Sequence, residues 1–115
     1  MGKWRYFSDD ESAGLDDELI SRLDVARGLC GFPIVITSGR RTPEQNAAAG
    51  GVPDSSHVRG LAVDIQAPVG KSEREKLIWA LGRVGFRRVG LYDRHAHCDI
   101  DESKAQDVVW FGISH

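Results

Sequence analysis

Two short stretches, residues 61–65 and 95–100, do most to constrain what this chain can fold into, because each reads as a strand with one apolar face. Successive side chains of a strand point to opposite faces. Leu61, Val63 and Ile65 therefore share one face, and Ala62 and Asp64 the other. In the second stretch Ala96, Cys98 and Ile100 share a face, while His95, His97 and Asp99 share the opposite one. If the two strands are neighbours, their polar faces meet at one place. His57 precedes the first strand, and Gly60 supplies a turn that can bring it back over Asp64. His57, Asp64 and His97 are then two imidazoles and one carboxylate. That is the ligand set of a catalytic zinc site, since three protein ligands leave the fourth tetrahedral position open. Cys98 is not counted as a ligand, because the same alternation points it away from His97.

The rest of the chain gives an α+β order with clear punctuation. Leu19, Ile20, Leu23, Ala26 and Cys30 recur at helical spacing, with Asp16 or Asp17 available as the cap and Gly31 as the stop. Residues 32–37 read as a buried strand rich in β-branched side chains. Thr42, Pro43 and Gln45 combine an N-cap, a proline at the first helical position and a capping-box partner, so a short helix runs to Ala49 and stops at Gly50 and Gly51. The loop 52–56 delivers His57. Ser72 and Glu75 form a second capping box, opening a helix with Leu77, Ile78 and Leu81 inward and Gly85 as its stop. Residues 86–92 and 95–100 are strands, expected as a hairpin bent at Asp93 and Arg94. With 115 residues and no repeats or linkers, residues 1–115 are expected to form one domain with one core.

The string Ser55-x-His57-x-x-Gly60-x-Ala62-x-Asp64, followed by His97-x-Asp99, resembles the M15 family of zinc D-Ala-D-Ala peptidases. Phe7, Ser8 and Glu11, the helix before Gly31, the stretch 33–41, Asn46, Gly50, Gly51 and Gly90-Leu91-Tyr92 resemble its short, phage-associated branch, so that the similarity runs from about Tyr6 to Trp110. The resemblance implies the fold shared with the Hedgehog signalling domain, a small antiparallel sheet with helices packed on one side. It implies Zn2+ held by His57, Asp64 and His97, and bacterial cell-wall peptides as substrates. Arg41 matches the family's Ser-Gly-x-Arg position, where a guanidinium holds a substrate carboxylate or stabilises an oxyanion. Ser55 either donates a hydrogen bond to substrate or braces its loop. Asp99 suits a partner that accepts the second N–H of a ligand imidazole, or is an ordinary strand-end acid. The family commonly carries Glu or Asp three residues before its last histidine ligand as general base; here Arg94 stands there. The substitutes are His95, favoured because it shares a face with His97, and Asp93, one residue off register.

Composition narrows the partners. A net charge of −2 argues against a nucleic-acid surface, and Arg83, Arg87 and Arg88 read as a solvated face. No stretch is long and apolar enough to span a bilayer, and the first six residues lack the apolar core of a signal peptide. The expectation is a monomer made in the bacterial cytoplasm, possibly phage-encoded, that reaches peptidoglycan stem peptides through another protein. Cys30 and Cys98 lie in apolar settings and read as buried thiols. Two functional classes remain. One is a zinc metallopeptidase of the carboxypeptidase or endopeptidase type, and the other is a zinc-stabilised binding or structural module, for example a phage component, that has lost turnover.

Overall fold

A computed structural model describes residues 2–52 and 54–113; Pro53, in the loop expected to deliver His57, lies outside the described residues, as do Met1, Ser114 and His115. The elements run α1 (Asp9–Ser12), α2 (Asp17–Cys30), β1 (Ile36–Ser38), α3 (Pro43–Ala48), β2 (Ala62–Gln66), α4 (Lys71–Arg83), β3 (Arg88–Leu91), β4 (His95–Asp99) and β5 (Val108–Phe111). The α+β class expected from the sequence is the one observed.

Local chemistry accounts for most of the boundaries. The side chain of Asp16 accepts the Glu18 N–H at the start of α2, and Gly31 closes it in the left-handed region at φ 78°. Reciprocal Thr42 and Gln45 bonds open α3 as their spacing predicts. Ser8 and Glu11 make a second reciprocal box that nucleates the four-residue α1, an element the periodicity of the sequence did not indicate. The expected box at Ser72 does not form. Helix α4 begins one residue before Ser72, with Gly70 as an N-cap lacking a side-chain bond, because the Gly70 carbonyl accepts the Arg74 N–H at 3.0 Å. Arg74 also donates from its guanidinium to Pro68 O and Asp93 O, fastening this first turn to the β3–β4 bend. Leu77, Ala80 and Leu81 face inward, whereas Ile78 lies at the margin with 39% of its surface exposed.

The sheet has the order β1-β2-β4-β3-β5. Its first three pairings are antiparallel and the last, β3 with β5, is parallel, so the sheet is mixed rather than purely antiparallel. The parallel strand arises because the chain leaves β4 at the Arg88 end of β3, passes that end through residues 100–107 and pairs on the far edge, with Asp107 in the left-handed region at φ 59°. The first strand is shorter than expected: only Ile36–Ser38 pairs as β1, with a register irregularity between Ile36 and Ser38. One face of the sheet, built by Val63, Ile65, Val89, Ala96 and Cys98, packs on Leu19, Ile20, Leu23 and Ala26 of α2 and Leu77, Ala80 and Leu81 of α4. All of these side chains are at most 6% exposed. Burying this face dominates stability and orients the opposite face for chemistry. Cys30 and Cys98 are both buried thiols, and burial first, then the charges of Asp99 and Asp64, push the Cys98 thiol well above its usual range.

Candidate metal centre

The face away from the helices carries a row of residues at one level of the sheet. Register pairs Ser38 with Asp64, Asp64 with His97, His97 with Gly90, and Gly90 with Trp110. Asp64 and His97 are thus cross-strand neighbours, and His97 Nδ1 lies 3.0 Å from Asp64 Oδ1. His57 enters from the loop above, with its Nε2 3.4 Å from the same oxygen. Ligand atoms of His57, Asp64 and His97 all lie within 4.8 Å of one another, and their rings and carboxylate form the group that could hold a metal ion among the described residues. Tetrahedral zinc with ligands at about 2.0–2.1 Å requires donors separated by about 3.3 Å, close to the 3.0 and 3.4 Å that separate Asp64 Oδ1 from His97 Nδ1 and His57 Nε2.

Each imidazole is oriented by a second partner. His57 Nδ1 lies 2.9 Å from the carbonyl of Gly39, which can only accept, so Nδ1 donates there and Nε2 is the nitrogen turned toward the centre. His97 is turned the other way, with Nε2 2.7 Å from Asp99 Oδ2 and Nδ1 toward the centre. Asp99, 1% exposed, accepts from Arg88 Nε at 2.8 Å and from the Asp101 backbone N–H at 3.1 Å. Of the two roles open to Asp99, the structure displays the orienting one. Arg88 is correspondingly no part of a solvated face: its side chain is 13% exposed and tied to Asp99 and to the Ala105 carbonyl. Arg87 is exposed and pairs with Asp107.

The electrostatics follow from this packing. Burial pushes the Asp64 carboxyl up, but hydrogen bonds and charge from His57 and His97 outweigh it and hold the group well below the usual carboxylate range. For His97, burial favours the neutral ring, while the bonds to Asp64 and Asp99 and their charges prevail and raise its pKa. Asp99 is lowered: burial opposes this, and the His97 bond, the Asp101 backbone bond and the charges of His97 and Arg88 prevail. A cation at this centre would displace the proton that His97 Nδ1 shares with Asp64.

The loop that carries His57 is held by a hub at Asp101. This carboxylate, 1% exposed, accepts from Ser56 Oγ at 2.6 Å, from the Arg59 guanidinium, and from the backbone and hydroxyl of Ser103 at 3.0 and 2.5 Å. Burial raises its pKa, and the Ser103 and Ser56 bonds with the Arg59 charge bring it down to about 2. The Arg41 backbone donates to His57 O, and Asp16 donates to Gly60 O. Gly60 is at φ 72°, and a Cβ there would come within 2.3 Å of Gly14 O, so the turn admits only glycine without strain. Ser55 Oγ accepts the His57 N–H at 3.3 Å.

Other candidates fall around the centre. Arg41 bonds Ser38 Oγ at 3.0 Å and reaches Asp64 Oδ2 at 3.5 Å, placing a guanidinium beside the ligand carboxylate. His95 lies one strand repeat from His97, its ring stacked on Tyr92 with centroids 4.2 Å apart. Asp93 and Arg94 are exposed at the β3–β4 bend, and a cavity of about 410 Å³ lined by Leu77, Leu91, Tyr92, Asp93, His95 and Phe111 opens beside them. Asp101, Arg59 and Trp110 were given no role from sequence, and Arg88 was read as solvated; for Asp101 the available signal was the continued i, i+2 spacing of His97, Asp99 and Asp101.

The profile of the family described as Peptidase M15 matches residues 5–101. No curated protein matches the chain.

Proposed function

The chain belongs to the Peptidase M15 family, and from that premise we propose that it is a zinc peptidase of the DD-peptidase type acting on the stem peptides of bacterial peptidoglycan. The observation that carries this reading is the convergence of His57 Nε2, Asp64 Oδ1 and His97 Nδ1, each already oriented by a partner of its own. Held by His57, Asp64 and His97, a zinc ion would supply Lewis-acid polarisation of a scissile carbonyl and a water of lowered pKa. The protein's own groups supply the rest. Gly39 O and Asp99 hold the outer protons of the two ligand imidazoles, which keeps both rings in register. Arg41, leaning on Asp64, receives a substrate carboxylate or the developing oxyanion. A ring nitrogen of His95 takes and returns the proton that the family's acid handles, Arg94 standing at that acid's position. Asp93, at the exposed bend, is the second choice for that task.

A specific observation also favours a second reading. Arg94 is an exposed arginine where an acid is expected, which suits a module that keeps zinc and binds wall peptides without cleaving them. Among the described residues no helix is long and apolar enough to cross a membrane.

The test is cleavage of purified cell-wall peptides, scored as released D-alanine or opened cross-links, by zinc-loaded protein, chelated protein and chelated protein resupplied with zinc. Activity that follows the metal, and falls about a hundredfold to ten-thousandfold in His95→Ala with zinc content unchanged, is the expected result. Zinc bound with no turnover at all gives the binding module; no zinc bound ends both readings.

A further inference from the structure

Trp110 lies on the edge strand β5, beyond the stretch matched by the family, and its indole runs across the sheet rather than away from it. Register sets Gly90 between Trp110 and His97. A Cβ on Gly90 would come within 2.5 Å of Trp110 Nε1, so the indole occupies the space that any other residue at 90 would fill. Across that gap the ring reaches His97, with centroids 5.5 Å apart and planes at 47°, within the range of a packed aromatic pair. The indole N–H donates to Tyr92 Oη at 2.9 Å, which fixes the ring along its long axis. The Arg88 guanidinium sits 5.1 Å from its centroid while bonding Asp99, the acceptor of the His97 outer proton.

We propose that Trp110 is a positioning residue of the metal centre: its indole, seated over Gly90, walls in the His97 ring and the Arg88–Asp99 pair so that Nδ1 stays aimed at the site. Toward β3, Gly90 offers His97 no side chain at this level of the sheet, and the indole fills that place. Without the indole, the imidazole and the guanidinium gain room to turn, and the entropy of ordering them is then charged to metal binding. This inference rests on zinc occupying the His57, Asp64 and His97 group.

The experiment measures zinc affinity by competition with a chromophoric chelator, together with the d–d absorption of the cobalt-substituted protein, in wild type, Trp110→Ala, Trp110→Phe and Gly90→Ala. Gly90→Ala keeps the tryptophan but evicts it, so it decides the matter where Trp110→Ala fails to fold. Trp110→Ala and Gly90→Ala are expected to weaken zinc binding about tenfold to a hundredfold and to shift the cobalt band, as loss of an orienting partner does. Trp110→Phe should recover most of the affinity, since a flat ring remains. Wild-type affinity and band in a folded Gly90→Ala overturn the proposal. So does a Trp110→Phe that falls as far as Trp110→Ala, which would assign the effect to the bond with Tyr92. A wild-type protein that binds no zinc instead overturns the metal centre itself.

Discussion

The two histidines of the centre are held by different means. His97 is a residue of the central strand β4, flanked by β2 and β3, and its position follows from a ladder of antiparallel pairs whose other face is sealed against two helices. His57 is a loop residue, 4% exposed, with no ladder to fix it. Its place depends on the Asp101 hub, the Gly39 carbonyl, the Gly60 turn and two backbone bonds to other segments. A strand delivers a ligand as a by-product of burying its opposite face. A loop needs a dedicated set of polar bonds, each worth only about 0.5–1.5 kcal/mol net but costly when left half-made. The loop side should therefore be where the site yields first.

Metal removal tests this most strongly. A ligand at a hundredfold above its dissociation constant adds about 2.7 kcal/mol to stability, so chelation should lower the melting temperature measurably. Hydrogen exchange should then accelerate in residues 55–60 well before residues 95–99. Equal loss of protection on both sides would erase the distinction between strand and loop.

Asp101→Ala attacks the loop alone. It strands the buried Ser56 hydroxyl and the Ser103 N–H, and a buried group left without its partner costs about 1–3 kcal/mol. Urea unfolding should show that loss, and zinc affinity should fall while β4 amides keep their protection. A variant with unchanged stability would mean that the hub only decorates a loop held by other bonds.

The smallest effect is in pH, and it has opposite signs on the two sides. Asp101 sits at about 2 in the folded protein against an ordinary 3.8, so its contribution is complete above about pH 4 and fades as pH falls toward 2. For His97 the folded pKa is raised above 6.5, so in the zinc-free protein its contribution is complete below that value and is lost as pH rises through the raised pKa. Stability of the zinc-free protein should decline at both ends. Asp101→Ala should make the acid limb shallower, the part due to Asp64 and Asp99 remaining, and leave the alkaline one, which denaturant titrations across pH can resolve.

Much of the centre was legible because strand alternation is a local rule. The pairing of Asp64 with His97, and the exclusion of Cys98, follow from a period of two along each strand and from the need to bury Val63, Ile65, Ala96 and Cys98 on the other side. The caps of α2 and α3 were legible for the same reason, since an N-cap and its partner lie within three residues. The box at Ser72 was misread because the Gly70 carbonyl takes the Arg74 N–H and starts the helix earlier, which puts Ser72 inside the first turn rather than at its cap. The Arg88 reading failed because a charge on a strand looks solvated until its partner, Asp99, is known to lie opposite on β4.

What this sequence determined by itself was which residues could serve as ligands, which faces they share and where the short elements begin, because those depend on neighbours a few residues away. What only the tertiary structure decided was the company those ligands keep. Asp101 reaches back to Ser56 and Arg59, the Gly39 carbonyl meets His57, and β5 enters parallel to β3 so that Trp110 lies over Gly90. Those contacts join residues 18 to 45 positions apart. They are set by how the sheet and its crossings close around a common core, and no local pattern encodes that closure.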